Sequence, residues 1–383
     1  MTNNLQDVLI TAIRCAVIKD REKCSGLSAE ELAMLFKIAK LHDVANIVAD
    51  GLDIASTEET KPILTEFAKQ KMLAMYRYMQ IKNEARSIYS VFDEAKIAYM
   101  PLKGAVIRKY YDDPAMRTSA DIDILVHIED LDKATAVLNE KLEYEIGKKS
   151  RYDVSIHSPS GVHIELHFKL TSEDEQYDSA LSTVWSTASL DIGSKYRYIM
   201  SNEMLVAYSV MHTAKHFRTG GCGVRFFLDL FLLDKNVEYD KEKLSEILGI
   251  CELYKFYLEI LNLSHVWFGN TEHTELTKKM QSYIMGSGIY GTLVNEVAIS
   301  RGKTGSNFGY LIKRVFPPIS KLSISYPKLK KAPILYPFYV IKRWFRIVFR
   351  GNKHAINELK ANSSLSEERI NRISNLFEDL NLK

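Results

Sequence analysis

Cysteine is scarce. The 383 residues contain four, at positions 15, 24, 222 and 251, and no two have the short spacing of a zinc knuckle or a redox pair. No disulfide framework is visible, and a reducing, cytoplasmic compartment is the simpler expectation. Long apolar runs are missing too. The longest, APILYPFYVI, has about half of the ~20 residues a membrane-spanning helix needs. The opening MTNNLQDVLITAIRCAVIKD is interrupted by Asp7, Arg14 and Lys19, so neither a signal peptide nor a span is expected there. A large net charge is also lacking: Lys and Arg number 51 against 48 Asp and Glu. The resulting +3 does not by itself mark a nucleic-acid binder. One region lacks acid altogether. Residues 297–357 hold thirteen Lys or Arg and ten aromatics, with no Asp or Glu.

What is present reads as four stretches: an N-terminal helical region (1–96), a mixed α/β unit (97–195), a helical region (196–296) and a basic, aromatic-rich C-terminal region with a last helix (297–383). In the first, SAEELAMLFKIAKLHDVANIVADGL opens with a capping-box pattern, Ser28 with Glu31 three residues on, and its apolar residues recur at helical spacing. From Ile97 the pattern changes. IAYMPLKG is a short apolar run ending in glycine, AVIRKYY suits one or two helical turns, and ADIDILVHI alternates with β-branched residues, as strands do. EDLDKATAVLNEKL is an amphipathic helix with acid in its first turn. YDVSIHSPSGVHIELHFKL reads as a hairpin turning at SPSG. Strand, helix, strand, helix, strand, strand is the order of a compact α+β unit.

Within it, Asp121 and Asp123 alternate with isoleucine. Residues two apart on a strand share a face, so the carboxylates project together while Ile122, Ile124 and Val126 enter a core. Such neighbours repel unless a positive charge lies between them, and for oxygen ligands a divalent ion such as Mg²⁺ or Mn²⁺ is the usual solution. By the same parity His163, Glu165 and His167 share one face of a strand and Ile164, Leu166 and Phe168 the other. Glu165 is the candidate third ligand. Two ions held about 3.5–4 Å apart by shared carboxylates can align an in-line attack on phosphorus. Lys103-Gly104 precedes the aspartates. Glycine lets backbone approach a phosphate, the helix after it offers N–H groups, Lys103 and Arg117 add positive charge for a triphosphate, and Ser119 is placed to donate a hydrogen bond.

The stretch LKG…RTSADIDILV followed by IELHF resembles the nucleotidyltransferase superfamily that includes DNA polymerase β, and within it a bacterial group of uncharacterised nucleotidyltransferases. The resemblance implies a Gly turn, an Asp-x-Asp strand and a third acid on a later strand, filled here by Gly104, Asp121, Asp123 and Glu165. It extends to His-x-x-x-His and a following aspartate, matched by His212, His216 and Asp229. Ala105 departs from the superfamily's usual Ser or Gly. The resemblance implies a polymerase β-like catalytic core flanked by helices. It also implies transfer of a nucleoside monophosphate from an NTP to an acceptor, with Mg²⁺ or Mn²⁺. A sugar or other small-molecule acceptor is favoured, with RNA and protein left open. The rivals are a catalytically silent binding module docked through the basic region, and an RNA-modifying transferase.

His212 and His216 lie one helical turn apart, a spacing that also suits zinc, but with no third ligand nearby they read as a pair lining the cleft. Asp229, in the apolar FFLDLFLLDK, needs a partner if buried, and a His or Arg of the preceding segment is the candidate. The basic stretch has four readings: it lines the cleft, lies on a membrane surface, binds nucleic acid, or forms a solvated positive face. The need of its aromatic-rich helices to pack beside the catalytic unit favours the cleft.

Overall fold

The computed structural model describes residues 5–171, 175–289, 291–349 and 353–382. The first four residues of the N-terminal stretch, and residues 350–352 of the basic stretch, lie outside the described residues. Among the described residues three long helices lead, α1 (Leu5–Val17), α2 (Ala29–Leu41) and α3 (Lys61–Glu94), with a single helical turn at Ala45–Val48 between the last two. Ser28 caps α2, with both hydrogen bonds of the capping box formed to Glu31. The helical reading of residues 28–52 is interrupted. α2 stops at Leu41, and Asp43 takes φ 53°. The cause is tertiary: the Asp43 carboxylate accepts hydrogen bonds from Thr118 Oγ1 at 2.7 Å and Arg225 Nη1 at 2.6 Å.

The α+β unit follows as β1 (Tyr99–Pro101), the single turn α4 (Gly104–Ile107), β2 (Asp121–Val126), α5 (Leu131–Leu142), β3 (Glu145–Lys149), β4 (Asp153–His157) and β5 (His163–His167). The sheet runs β1-β2-β5-β4-β3. Only β2 and β5 are parallel; the other neighbours are antiparallel. β4 and β5 form the expected hairpin, closed by Ser158 N–H to Val162 carbonyl at 2.9 Å and by Gly161 at φ 84°. The sequence reading missed β3. Its residues, EIGKK, are all exposed, so no apolar alternation marks it, and its lysines suit an edge strand that must not pair further.

The two faces of the sheet enter different cores. Ile122, Ile124, Val126, Ile164 and Leu166 pack under α3 and α5 against Ile88, Phe92 and Leu138. On the opposite face, Met100 and Leu125 join a larger core. That core is shared by α1, α2 and the helices after the sheet: α6 (Asn202–Arg218), α7 (Val224–Asn236), α8 (Lys241–Ile250), α9 (Tyr254–Phe268) and α10 (Glu275–Met285). The chain ends in α11 (Leu293–Thr304), α12 (Asn307–Val315), α13 (Tyr336–Phe349), α14 (Lys353–Ser363) and α15 (Glu367–Asp379), the last capped by Ser366. Among the described residues no helix is long and apolar enough to cross a membrane.

Because Ile124 is fully buried beneath the site strand, Ile124→Ala should cost about 2–5 kcal/mol. Ile146→Ala, on the exposed edge strand, should stay within about 0.5 kcal/mol. Urea unfolding of the two variants checks the contrast.

Candidate active site

Parallel pairing fixes the site. The register sets Asp121 beside His163, Asp123 beside Glu165 and Leu125 beside His167. Since side chains two apart share a face, the acids of two strands converge above the buried isoleucines. Asp121, His163 and Glu165 form one group whose ligand atoms all lie within 4.8 Å of one another, and Asp123, Glu165 and His167 form a second, with Glu165 common to both. Three hard carboxylates with imidazole at the margin are a donor set that fits a small divalent cation.

The positive charge that such crowding demands is supplied by the protein itself. Lys103 Nζ donates to Asp123 Oδ1 at 2.6 Å and lies 3.7 Å from Glu165 Oε2. His167 Nε2 is 2.9 Å from the same Asp123 oxygen and 3.3 Å from Glu165 Oε2. Burial opposes ionisation of Asp123, but Lys103 and His167 outweigh it and hold its carboxyl well below the usual range. Burial likewise works against charge on His167, and its bonds to Asp123 and Glu165 raise it. For Asp121 the balance is reversed: burial and the adjacent Asp123 charge outweigh Lys103 and His163 and hold it above the ordinary carboxylate value. The two aspartates, equivalent in sequence, are thus electrostatically opposite. His163 turns to Ser155, with Nε2 2.9 Å from its hydroxyl.

Lys103 occupies a backbone conformation rare for a side-chain-bearing residue, φ 45° and ψ −117°. Gly104 follows where a Cβ would meet Arg117 Nη1 at 2.8 Å, so a larger residue would push the Arg117 guanidinium out of place. α4 is a single turn whose Ala105 N–H is taken by the Leu102 carbonyl. Its amino end therefore offers a phosphate less than the sequence reading expected. Arg108 anchors the turn by donating to the Gly104 carbonyl and to Ser119 Oγ, both at 2.7 Å.

Arg117 is paired with Asp229 on α7 through Nη2 to Oδ2 at 2.9 Å and Nε to Oδ1 at 3.3 Å, and Tyr111 donates to Asp229 Oδ1 at 2.7 Å. The partner of Asp229 is therefore an arginine, as expected. It comes from the loop before β2, not from the segment preceding α7. The arginine of α7 itself, Arg225, is held elsewhere, by Thr118 and Asp43.

A cleft of about 480 Å³ opens over the acids, and Lys103, Gly104, Arg117, Ser119, Asp121, Asp123, Glu165, His167, His212 and His216 all line it. α6 forms the facing wall. His212 and His216 lie Nε2 to Nε2 at 3.1 Å. Burial lowers both, His212 well below its ordinary value and His216 to about 4, where Lys215 and Lys103 add to the effect. They are a neutral, mutually bonded pair at pH 7, and they belong to neither acid cluster. The sequence reading passed over Arg108, Tyr208 and Lys215. Tyr208 and Lys215 repeat with His212 at three- and four-residue steps on one helix face, a signal that was available. Arg108 stands out only as a charge within AVIRKYY. The expectation that the basic stretch serves the cleft is not met: among the described residues of 297–357, none lines it. Their aromatic side chains pack on one another instead, Tyr326, Tyr336, Tyr339 and Trp344 around Leu322, Leu329 and Val340.

The family model of uncharacterised nucleotidyltransferases matches residues 28–269, well over half of the chain. The chain belongs to this family. It is an enzyme of the nucleotidyltransferase class, and its matched region spans the sheet and every residue of the cleft named above. A search of curated proteins returns no match. Among solved structures, the antibiotic-resistance factor ANT(2'')-Ia is 14% identical with a TM-score of 0.35, over 48% of this chain and 96% of that one. An antigenic nucleotidyltransferase-like protein from Paracoccidioides brasiliensis is 15% identical with a TM-score of 0.31, over 52% of this chain and 94% of that one. Likeness this low carries no argument.

The asymmetry of the aspartates is measurable without substrate. Asp121→Asn relieves a repelled charge and should leave the melting temperature unchanged or higher. Asp123→Asn removes the charge that Lys103 and His167 share, and should cost about 1.5–3 kcal/mol. Equal melting temperatures for the two in metal-free buffer would refute the assignment. The histidine pair makes a pH prediction. Unfolded imidazoles take up protons near their ordinary 6.5, while folded His216 resists to about 4. Stability should therefore fall as pH drops from about 6.5 toward 4. A His212→Asn, His216→Asn double variant should show a shallower decline in pH-dependent urea unfolding.

Proposed function

We propose that the enzyme moves a nucleoside monophosphate from an NTP to a hydroxyl- or phosphate-bearing acceptor and releases pyrophosphate. The observation that carries this is the convergence of Asp121, Asp123 and Glu165 from two parallel strands into one cleft, with Lys103 between them. These three carboxylates would hold Mg²⁺ or Mn²⁺. When bound, such ions neutralise triphosphate charge and align the in-line displacement.

Lys103, Gly104, Arg117 and Ser119 would receive the triphosphate. The Lys103 ammonium is mobile enough on its four-carbon stem to leave Asp123 for a phosphate oxygen. Ser119 accepts from Arg108, which leaves its own hydroxyl proton to donate. Arg117 is fixed by Asp229, so its guanidinium meets the ligand already oriented. For the acceptor proton Glu165 is the better base. Its side chain is 27% exposed against 4% for Asp123, and Asp123 is held too acidic to accept a proton readily. The wall of α6, with His212, His216 and Lys215, is left for the acceptor, for which a sugar or other small molecule suits the cleft's size. An RNA end is the second acceptor class. The chemistry belongs to the unit 97–195, with helices of 196–296 completing the cleft wall and 1–96 and 297–383 packing around the shared core, in a reducing, cytoplasmic setting.

Calorimetry with each of the four NTPs should show binding that requires Mg²⁺ or Mn²⁺; equal affinity without metal would refute the reading. With α-labelled NTP and fractionated extract, small-molecule and RNA fractions compete to take up label. Asp121→Asn and Glu165→Gln should lower transfer by at least about 100-fold, whereas His163→Ala retains it.

A further inference from the structure

The basic region is amphipathic in a way that the cleft does not use. On α12, Phe308 and Ile312 are 73% and 43% exposed, and Phe316 just beyond is 56% exposed. Spaced by four, they share one side of the helix. The opposite side is satisfied: Tyr310 donates to Glu358 at 2.9 Å, and Arg314 pairs with the same carboxylate. α13 repeats the plan. Tyr336, Val340 and Trp344 turn inward, Tyr336 donating to the Pro317 carbonyl at 3.0 Å and Trp344 to the Val315 carbonyl at 3.1 Å. Phe338, Ile341 and Phe345, each more than half exposed, run along the outer side. Ile319, Ile334 and Leu335 add exposed apolar surface on the connecting segments. Lys313, Lys321, Lys328, Lys330, Lys331, Lys342 and Arg346 surround it, all exposed, and residues 297–357 contain no carboxylate to offset them.

We propose that this face docks the enzyme on an anionic lipid surface, with α12 and α13 lying in the plane of the headgroups. Three features select that occupant. Apolar side chains in line along a helix, rimmed by cations, match an interface with hydrocarbon below and phosphate above. Single-stranded nucleic acid would be met mainly by stacking rings, but Phe308, Phe316, Phe338 and Phe345 are interspersed with Ile312, Ile319, Ile334, Leu335 and Ile341, which have none to offer and suit hydrocarbon instead. A second copy of the chain would bring cation against cation across the contact. The proposal is independent of the transfer reaction, since no residue of this face lines the cleft.

Flotation of the full-length protein with vesicles tests it. The protein should rise with vesicles of phosphatidylcholine and phosphatidylglycerol, stay behind with phosphatidylcholine alone, and be released by high salt. Lys331→Gln with Lys342→Gln should weaken partitioning about fivefold per cation, roughly 30-fold together. Ile334→Ser with Ile341→Ser should also weaken it, while circular dichroism melting and nucleotide binding stay at wild-type values. Failure to float on the anionic vesicles would overturn the proposal, as would charge variants that float like wild type. Retention of single-stranded RNA without vesicle binding would assign the face to nucleic acid. A dimer in sedimentation that the Ile334→Ser, Ile341→Ser variant splits would assign it to self-association.

Discussion

The parallel pairing of β2 with β5 is the constraint on which the rest depends. Among the described residues it is the one parallel pair of neighbouring strands in this sheet. Its register brings Asp123 level with Glu165, so acids 42 positions apart become neighbours. The same register sends Ile122, Ile124, Ile164 and Leu166 into the core beneath α3 and α5. A slip of one residue would exchange these faces, burying carboxylates and exposing isoleucines. The apolar core therefore enforces the geometry of the site, and stability and chemistry are specified by one alternation.

This explains how much could be read before the structure. Strand parity is a local property, so Asp121, Asp123, Glu165 and the two flanking histidines were assigned to one face from spacing alone. The capping box at Ser28 and Glu31 and the hairpin at SPSG are equally local. What escaped was set by partners far away in the chain. Nothing near Asp43 predicts that α2 breaks there, because its hydrogen bonds come from Thr118 and Arg225. The partner of Asp229 lay 112 positions upstream. β3 escaped for another reason: an exposed edge strand held by backbone bonds needs no pattern in its side chains.

The loop between α4 and β2 is correspondingly over-determined. Arg108, Arg117 and Thr118 tie it to the Gly104 turn, to α7 and to the segment after α2. Three cationic side chains buried or half-buried within so short a distance would repel were each not bonded to an oxygen. Arg117 and Arg225 each meet a carboxylate, and Arg108 meets a carbonyl and a hydroxyl. The N-terminal helices and the helices after the sheet are joined here by this polar network in addition to their common core.

Lys103 has a mechanical side as well as an electrical one. Its backbone sits where a residue with a side chain is strained by about 1–3 kcal/mol, and the ion pair with Asp123 is what rewards that posture. A ligand that draws the ammonium away from Asp123 also removes the reason for the strained turn. Lys103 is in this sense a sprung catch. Its release would let the Gly104 turn, and through Arg108 the loop carrying Ser119, settle into a new position, so that a triphosphate binding as proposed would be felt as movement along the rim of the cleft and not only as neutralised charge.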